Sequence, residues 1–151
     1  MTRKQPQASD PLDLAARALR HRDRSRSQID DRLARAGVED DRRADALDAL
    51  ERIGYVDDER FAAGRAGSLA ERGYGDEAIR ALLAADGLAP DAVDGAIAGL
   101  EPEPERAAAL IAGLGTSPRT AARLARKGFG EAAVEAAAGA FAADEPEAYS
   151  S

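Results

Sequence analysis

The stretch RLARKGF, Arg123–Phe129, decides how the rest of the chain is read. Its basic side chains, Arg123, Arg126 and Lys127, suggest a patch for polyanions, whereas its spacing suggests the end of a helix. Two other stretches share that spacing, RLARAGV at Arg32–Val38 and ALLAADGL at Ala81–Leu88. In each, a leucine stands four residues before a glycine and an apolar residue follows it. This is the pattern of a helix whose C′ glycine turns left-handed, so that the apolar C″ residue folds back on C3. Leu50–Gly54–Tyr55 and Leu69–Gly73–Tyr74 repeat it. RLARKGF is therefore a helix terminus first, with Arg126 and Lys127 where the helix dipole favours cations.

Aligning Gly37, Gly87 and Gly128 brings the flanking residues into register. Eight residues earlier come Ile29, Ile79 and Thr120; four earlier, Leu33, Leu83 and Leu124; one later, Val38, Leu88 and Phe129. The match continues at Leu47, Ile97 and Ala138, at Leu50, Leu100 and Phe141, and upstream at Leu19, Leu69 and Leu110. A register held through three segments without a gap defines a threefold internal repeat. Helix starts are legible too. Ser25 with Gln28 forms a capping box before Ile29, and Ser117–Pro118 is an N-cap with proline at N1. In the middle unit Gly75 or Asp76 takes that place.

The reading is an all-α, elongated array of three tandem three-helix repeats. Its helices run over 11–22, 25–36 and 40–53, then 58–72, 76–86 and 90–100, then 104–114, 118–127 and 131–143. The units are 11–57, 58–103 and 104–143, with tails at 1–10 and 144–151. Helices this short need tertiary burial, and stacked units share apolar faces to supply it. Composition agrees, because alanine dominates the apolar residues and only three Phe and three Tyr occur.

The net charge is −7 and unevenly spread. Residues 1–43 hold 11 basic and 8 acidic groups, 44–105 hold 5 and 15, and 106–151 hold 5 and 5. An acidic middle with more basic ends suits a protein partner better than unaided binding to a phosphate backbone. No apolar run reaches the roughly 18–20 residues that span a bilayer, and MTRKQPQASDP lacks a signal-peptide core. A cytoplasmic, soluble protein is expected, without membrane attachment.

A reaction site needs a nucleophile, a base or a metal, and the sequence presents none in a catalytic pattern. There is no cysteine, and the one histidine, His21, sits among Arg20, Arg22 and Arg24 as a solvated side chain. Asp57, Asp58 and Glu59 lack the alternating spacing of a calcium loop; Asp57 or Asp58 caps the following helix. No enzyme activity, cofactor or metal is expected.

The segment GYVDDERFAAGRAGSLAERGYGDEAIRALLAADGL, residues 54–88, places an acidic pair before Glu59-Arg60-Phe61-Ala62. It then places Arg72-Gly73-Tyr74-Gly75 before a helix ending at Gly87. Together with SRSQIDDRLARAGV, Ser25–Val38, it resembles the RecX family of recombination regulators over residues 12–143. The resemblance implies three-helix repeats and a non-enzymatic partner of the RecA recombinase. Such a protein binds RecA filaments on single-stranded DNA and restrains ATP hydrolysis, strand exchange and coprotease action, within homologous recombination, DNA repair and the SOS response.

Partner-binding candidates are Arg24, Arg26 and Arg32 in the first unit and Arg60, Arg65, Arg72, Tyr74 and Arg80 in the second. Arg119, Arg123, Arg126 and Lys127 follow in the third. Arg119, Arg123 and Arg126 fall along one helical stripe. Phe61 is expected in the core. Gly64 and Gly67 each weaken their helix by about 1 kcal/mol relative to alanine, and they either admit a close neighbour or mark a loose segment. The resemblance implies the RecA filament as partner, with weak or indirect contact to single-stranded DNA expected, and the chain is expected to be a monomer. Two other readings are a general helical adaptor and a module that binds nucleic acid directly through Arg119–Lys127.

Overall fold

The leucine–glycine stops become Schellman turns in the computed structural model, which describes residues 10–139. Gly37, Gly87 and Gly128 take φ of 84°, 82° and 85°. The following amides, of Val38, Leu88 and Phe129, donate to the carbonyls of Leu33, Leu83 and Leu124 at 3.1, 3.4 and 3.1 Å. Gly54 and Gly73 are left-handed as well. At Gly54 the fold departs from the expected pairing. Tyr55 is 58 % exposed, and Val56 fills the core instead at 2 %, because its amide also donates to the Leu50 carbonyl at 3.2 Å.

These stops divide the described residues into helices, with no strand among them. The first unit holds α1 (Pro11–His21), α2 (Arg26–Arg35) and α3 (Asp40–Arg52). The second holds α4 (Asp58–Glu71), α5 (Asp76–Ala85) and α6 (Pro90–Ala98). The third holds α7 (Glu103–Leu114), α8 (Pro118–Arg126) and α9 (Glu131–Ala138). Their starts follow side-chain chemistry. Ser25 and Gln28 form a complete capping box, Asp57 accepts from the Arg60 amide, and Ser117 accepts from the Thr120 amide. Gly75 caps α5 without a side chain. Helix α9 ends at Ala138, short of the expected 143, because Gly139 turns to φ 63°. Phe141 and the His21 side chain lie outside the described residues, as do the tails 1–9 and 144–151.

Each trio closes on its own apolar cluster. Ile29, Leu33, Val38 and Leu47 form the first, Phe61, Leu69, Ile79 and Leu83 the second, and Ala107, Leu124, Phe129 and Ala137 the third. Residues in register four and eight positions before the glycines are among the best buried: Ile29, Ile79, Leu33, Leu83 and Leu124 are at most 1 % exposed. Thr120 replaces isoleucine in that series. Its hydroxyl lies 3.1 Å from the Ser117 hydroxyl, which offsets the burial of a polar group.

The units join through the ends of their middle helices. The Ser25 hydroxyl, at the start of α2, donates to the Asp86 carbonyl at the end of α5, 2.8 Å away. In the matching place the Gly75 amide, at the start of α5, donates to the Lys127 carbonyl at the end of α8, also 2.8 Å away. Helices α8, α5 and α2 therefore follow one another head to tail. A C-terminal carbonyl left without a helical partner accepts from a backbone amide at one joint and from a serine hydroxyl at the other. The first helix of the next unit adds a carboxylate to each joint. Asp58 accepts from the Arg26 amide at 2.7 Å, and Glu103 accepts from the Asp76 amide at 2.9 Å. Close packing at these joints adds a second reason, beyond the left-handed φ, for glycine to follow α5 and α8. A Cβ on Gly87 would lie 2.3 Å from the Ser27 hydroxyl, and one on Gly128 would lie 2.6 Å from the Ala78 backbone nitrogen.

Candidate functional site

The head-to-tail joint between α5 and α8 also brings distant candidate residues together. Because the Lys127 carbonyl receives the Gly75 amide, the Lys127 side chain leaves α8 beside the α4–α5 turn. Its ammonium stands 4.2 Å from the centre of the Tyr74 ring. The Arg72 guanidinium lies over the same ring at 5.7 Å. Tyr74 is held in place by its own turn, its amide donating to Leu69 at 3.1 Å, and its ring packs on the second-unit core. Two cations over one half-buried ring are each attracted to its negative face. Neither Arg72 nor Lys127 forms an ion pair with an acid among the described residues.

Helix α8 extends this cluster. Thr120, Ala121 and Leu124 face the third-unit core, so the stripe of Arg119, Arg123 and Arg126 faces away from it. All three arginines are exposed and lack acidic partners among the described residues. Arg32 is likewise exposed and has no acidic partner among the described residues. Arg24 donates through Nε to the Ala18 carbonyl at 3.3 Å. Its pKa is held below the ordinary arginine range by burial, then by the neighbouring Arg22 and Arg32 charges.

The remaining candidates are engaged within the fold. Arg26 bridges Asp48 and Glu51 at 2.9 and 3.0 Å, and Arg65 pairs with Asp86 at 3.2 Å. Arg80 pairs with Asp94. Arg60 grips both oxygens of Asp23 at 3.1 and 3.2 Å and donates to the Gly54 and Tyr55 carbonyls. A side chain in such an arrangement must give up internal bonds before it serves a partner.

One residue with a large structural role has no local sequence signature. Arg106 is 9 % exposed, and both its terminal nitrogens donate to Asp76. It also lies over the Phe129 ring at 5.9 Å. Burial raises the Asp76 pKa above the ordinary carboxylate value, and Glu103 adds to this; the Arg106 and Arg80 charges oppose it. Arg106 stands near the start of α7, just after Glu103 and Glu105, and only the folded chain brings it to the start of α5. Among the described residues no helix is long and apolar enough to cross a membrane.

The architecture defines a helical-repeat protein whose notable surface is a cation–aromatic cluster at a joint between units. Comparison with known proteins makes the class particular. Over 85 residues the chain is 42 % identical to Regulatory protein RecX of Chromohalobacter salexigens, covering 56 % of each chain. Over 80 residues it is 38 % identical to the namesake of Acidithiobacillus ferrooxidans, covering 53 % of each. The chain thus spans about half the length of the curated relatives it matches. No protein-family model matches it. The crystal structure of RecX from Lactobacillus salivarius superposes with a TM-score of 0.74 at 17 % identity, over 87 % of this chain and 94 % of that one. A second structure, of regulatory protein RecX, gives 0.73 at 21 % identity, over 87 % and 73 %. Over about half its length the chain is similar in sequence to RecX regulatory proteins, and it has the helical-repeat fold of the RecX crystal structures.

Proposed function

We propose that this chain is a non-enzymatic regulator that binds the RecA recombinase, or its filament on single-stranded DNA. Binding restrains ATP hydrolysis, strand exchange and coprotease activity. The observation that carries the reading is the Arg72–Tyr74–Lys127 cluster, continued by Arg119, Arg123 and Arg126, in a chain similar in sequence to RecX regulators. Unpaired guanidinium and ammonium groups beside an aromatic ring suit an interface with an acidic protein surface. Arg24 and Arg32 add to it in the first unit. Arg26, Arg60, Arg65 and Arg80 contribute by exchanging internal carboxylates for those of the partner. The protein acts as a monomer in the cytoplasm.

The test is RecA's ATPase stimulated by single-stranded DNA, measured as the chain is titrated to saturation. The rate is expected to fall, and a Tyr74→Ala/Lys127→Glu double variant is expected to need about ten-fold more protein for the same inhibition. An unaltered rate at saturating protein defeats the proposal. The acid-free α8 stripe favours a second reading, direct binding to nucleic acid. That reading requires affinity for a single-stranded oligonucleotide without RecA, falling steeply as salt rises.

A further inference from the structure

A groove runs between the second and third units, enclosing about 360 Å³. Its apolar surface comes from Ala70, Leu100, Leu110 and Phe129, and Glu71 and Glu101 stand beside it. Both glutamates are exposed, and neither pairs with a basic side chain among the described residues. The volume lies in the range of small ligand sites, but two uncompensated carboxylates would repel a phosphate or an anionic lipid surface.

Gly67 lines the same groove from the middle of α4. A Cβ there would meet nothing within 4 Å, so no contact inside the protein requires glycine, although glycine weakens a helix interior. Its effect is to leave the α4 backbone open on the groove side. The Arg106 side chain also lines the groove, and its buried Nε has no acceptor in the protein. Only a water or an incoming group can supply one.

We propose that this groove is a docking site for a peptide segment of a protein partner, in which a leucine- or phenylalanine-sized side chain is flanked by lysine or arginine. The apolar side chain lies on Leu100 and Leu110 against the bare α4 backbone at Gly67. The flanking cations meet Glu71 and Glu101. None of the groove-lining residues belongs to the basic cluster proposed for RecA, although Glu71 adjoins Arg72 in the chain, and the inference stands independently of that reading.

The experiment uses the full chain and two fluorescein-labelled hexapeptides of sequence KKLFKK and EELFEE, followed by fluorescence anisotropy. The basic peptide is expected to bind at least about ten-fold more tightly than the acidic one. Glu71→Gln combined with Glu101→Gln should remove that preference. Gly67→Leu fills the groove and should abolish binding while raising the melting temperature by roughly 2–4 °C, since leucine is the better helix former. The raised melting temperature separates a blocked groove from a damaged fold. The proposal is overturned if the basic peptide fails to bind, if both peptides bind alike, or if a folded Gly67→Leu protein binds as the parent does.

Discussion

The two joints between units have the same plan and different materials. Where the first unit meets the second, polar side chains do most of the joining: Ser25 and Gln28 on Asp86, Asp58 on the Arg26 amide, and Arg60 on Asp23. Where the second meets the third, backbone meets backbone. A Cβ on Gly75 would lie 2.5 Å from the Gly128 carbonyl carbon and oxygen, and the Glu77 amide donates to Gly128 at 3.2 Å. The principal side-chain bridge there is the pair of buried Arg106 with half-buried Asp76, supported by Glu103. An exposed pair such as Arg60–Asp23 can rearrange around a substitution, whereas two backbones in contact leave no room for one. The first joint should therefore tolerate change at its exposed Arg60–Asp23 pair, though not at buried Ser25 or at Gly87, and the second should tolerate none at its backbone contact.

The largest effect that breaks this contrast is expected at Gly128. Gly128→Ala forces a side chain into left-handed backbone, costing about 1–2 kcal/mol, and drives its Cβ into Ala78, adding about 1–3 kcal/mol of overpacking. Gly37→Ala carries the same conformational penalty, but its Cβ meets nothing within 4 Å. Urea denaturation should rank Gly128→Ala as the more destabilised of the two. Equal losses would show that the joint adds nothing to the turn.

Next comes the Arg106–Asp76 pair. Removing one partner of a fully buried ion pair costs about 3–5 kcal/mol. Asp76 remains 36 % exposed, so Arg106→Ala should cost less, about 2–3 kcal/mol once solvent screening is allowed for. The same truncation at Arg60, whose pair with Asp23 is exposed on both sides, should leave the melting temperature nearly unmoved.

A pH profile sharpens the comparison further. Because the Asp76 pKa is raised in the folded protein, the native state holds this proton more tightly than the unfolded chain does. Its contribution to stability is fully present below the unfolded carboxylate pKa and is lost as pH rises through the higher folded value. This is opposite to the usual trend for a paired aspartate. Asp76→Asn should remove that component, so the stability difference between variant and parent should change across this window and level off on either side. A difference independent of pH would show that burial does not govern this carboxylate.

The smallest expected effect is at Gly64, where a Cβ would again meet nothing within 4 Å. Gly64→Ala should stabilise α4 by about 1 kcal/mol, read as a higher melting temperature. A loss would mean that the backbone there serves the joint between the first and second units.

Much of the fold was legible because its decisive interactions are local. A Schellman turn links residues five apart, so Leu33–Val38, Leu83–Leu88 and Leu124–Phe129 announce themselves in the chain. The Ser25 and Ser117 caps are equally short-range, and Phe61 reached the core as expected, at 9 % exposure. The site was less legible. Sequence spacing identified the α8 stripe, but it gave Arg80 the same standing as Arg72, although the fold pairs Arg80 with Asp94 and sets Arg72 over Tyr74. Arg106 passed unnoticed because its partner, Asp76, lies in another unit.

The amino-acid sequence by itself determined where helices begin and stop and which faces are apolar, since capping, left-handed glycine and helical periodicity act within a few residues. Only the tertiary structure decided which charges are neutralised, how middle helices meet end to end, and that Lys127 comes to rest over Tyr74. Those outcomes depend on desolvation and on distances between units far apart in the chain, and neither quantity exists until the units have stacked.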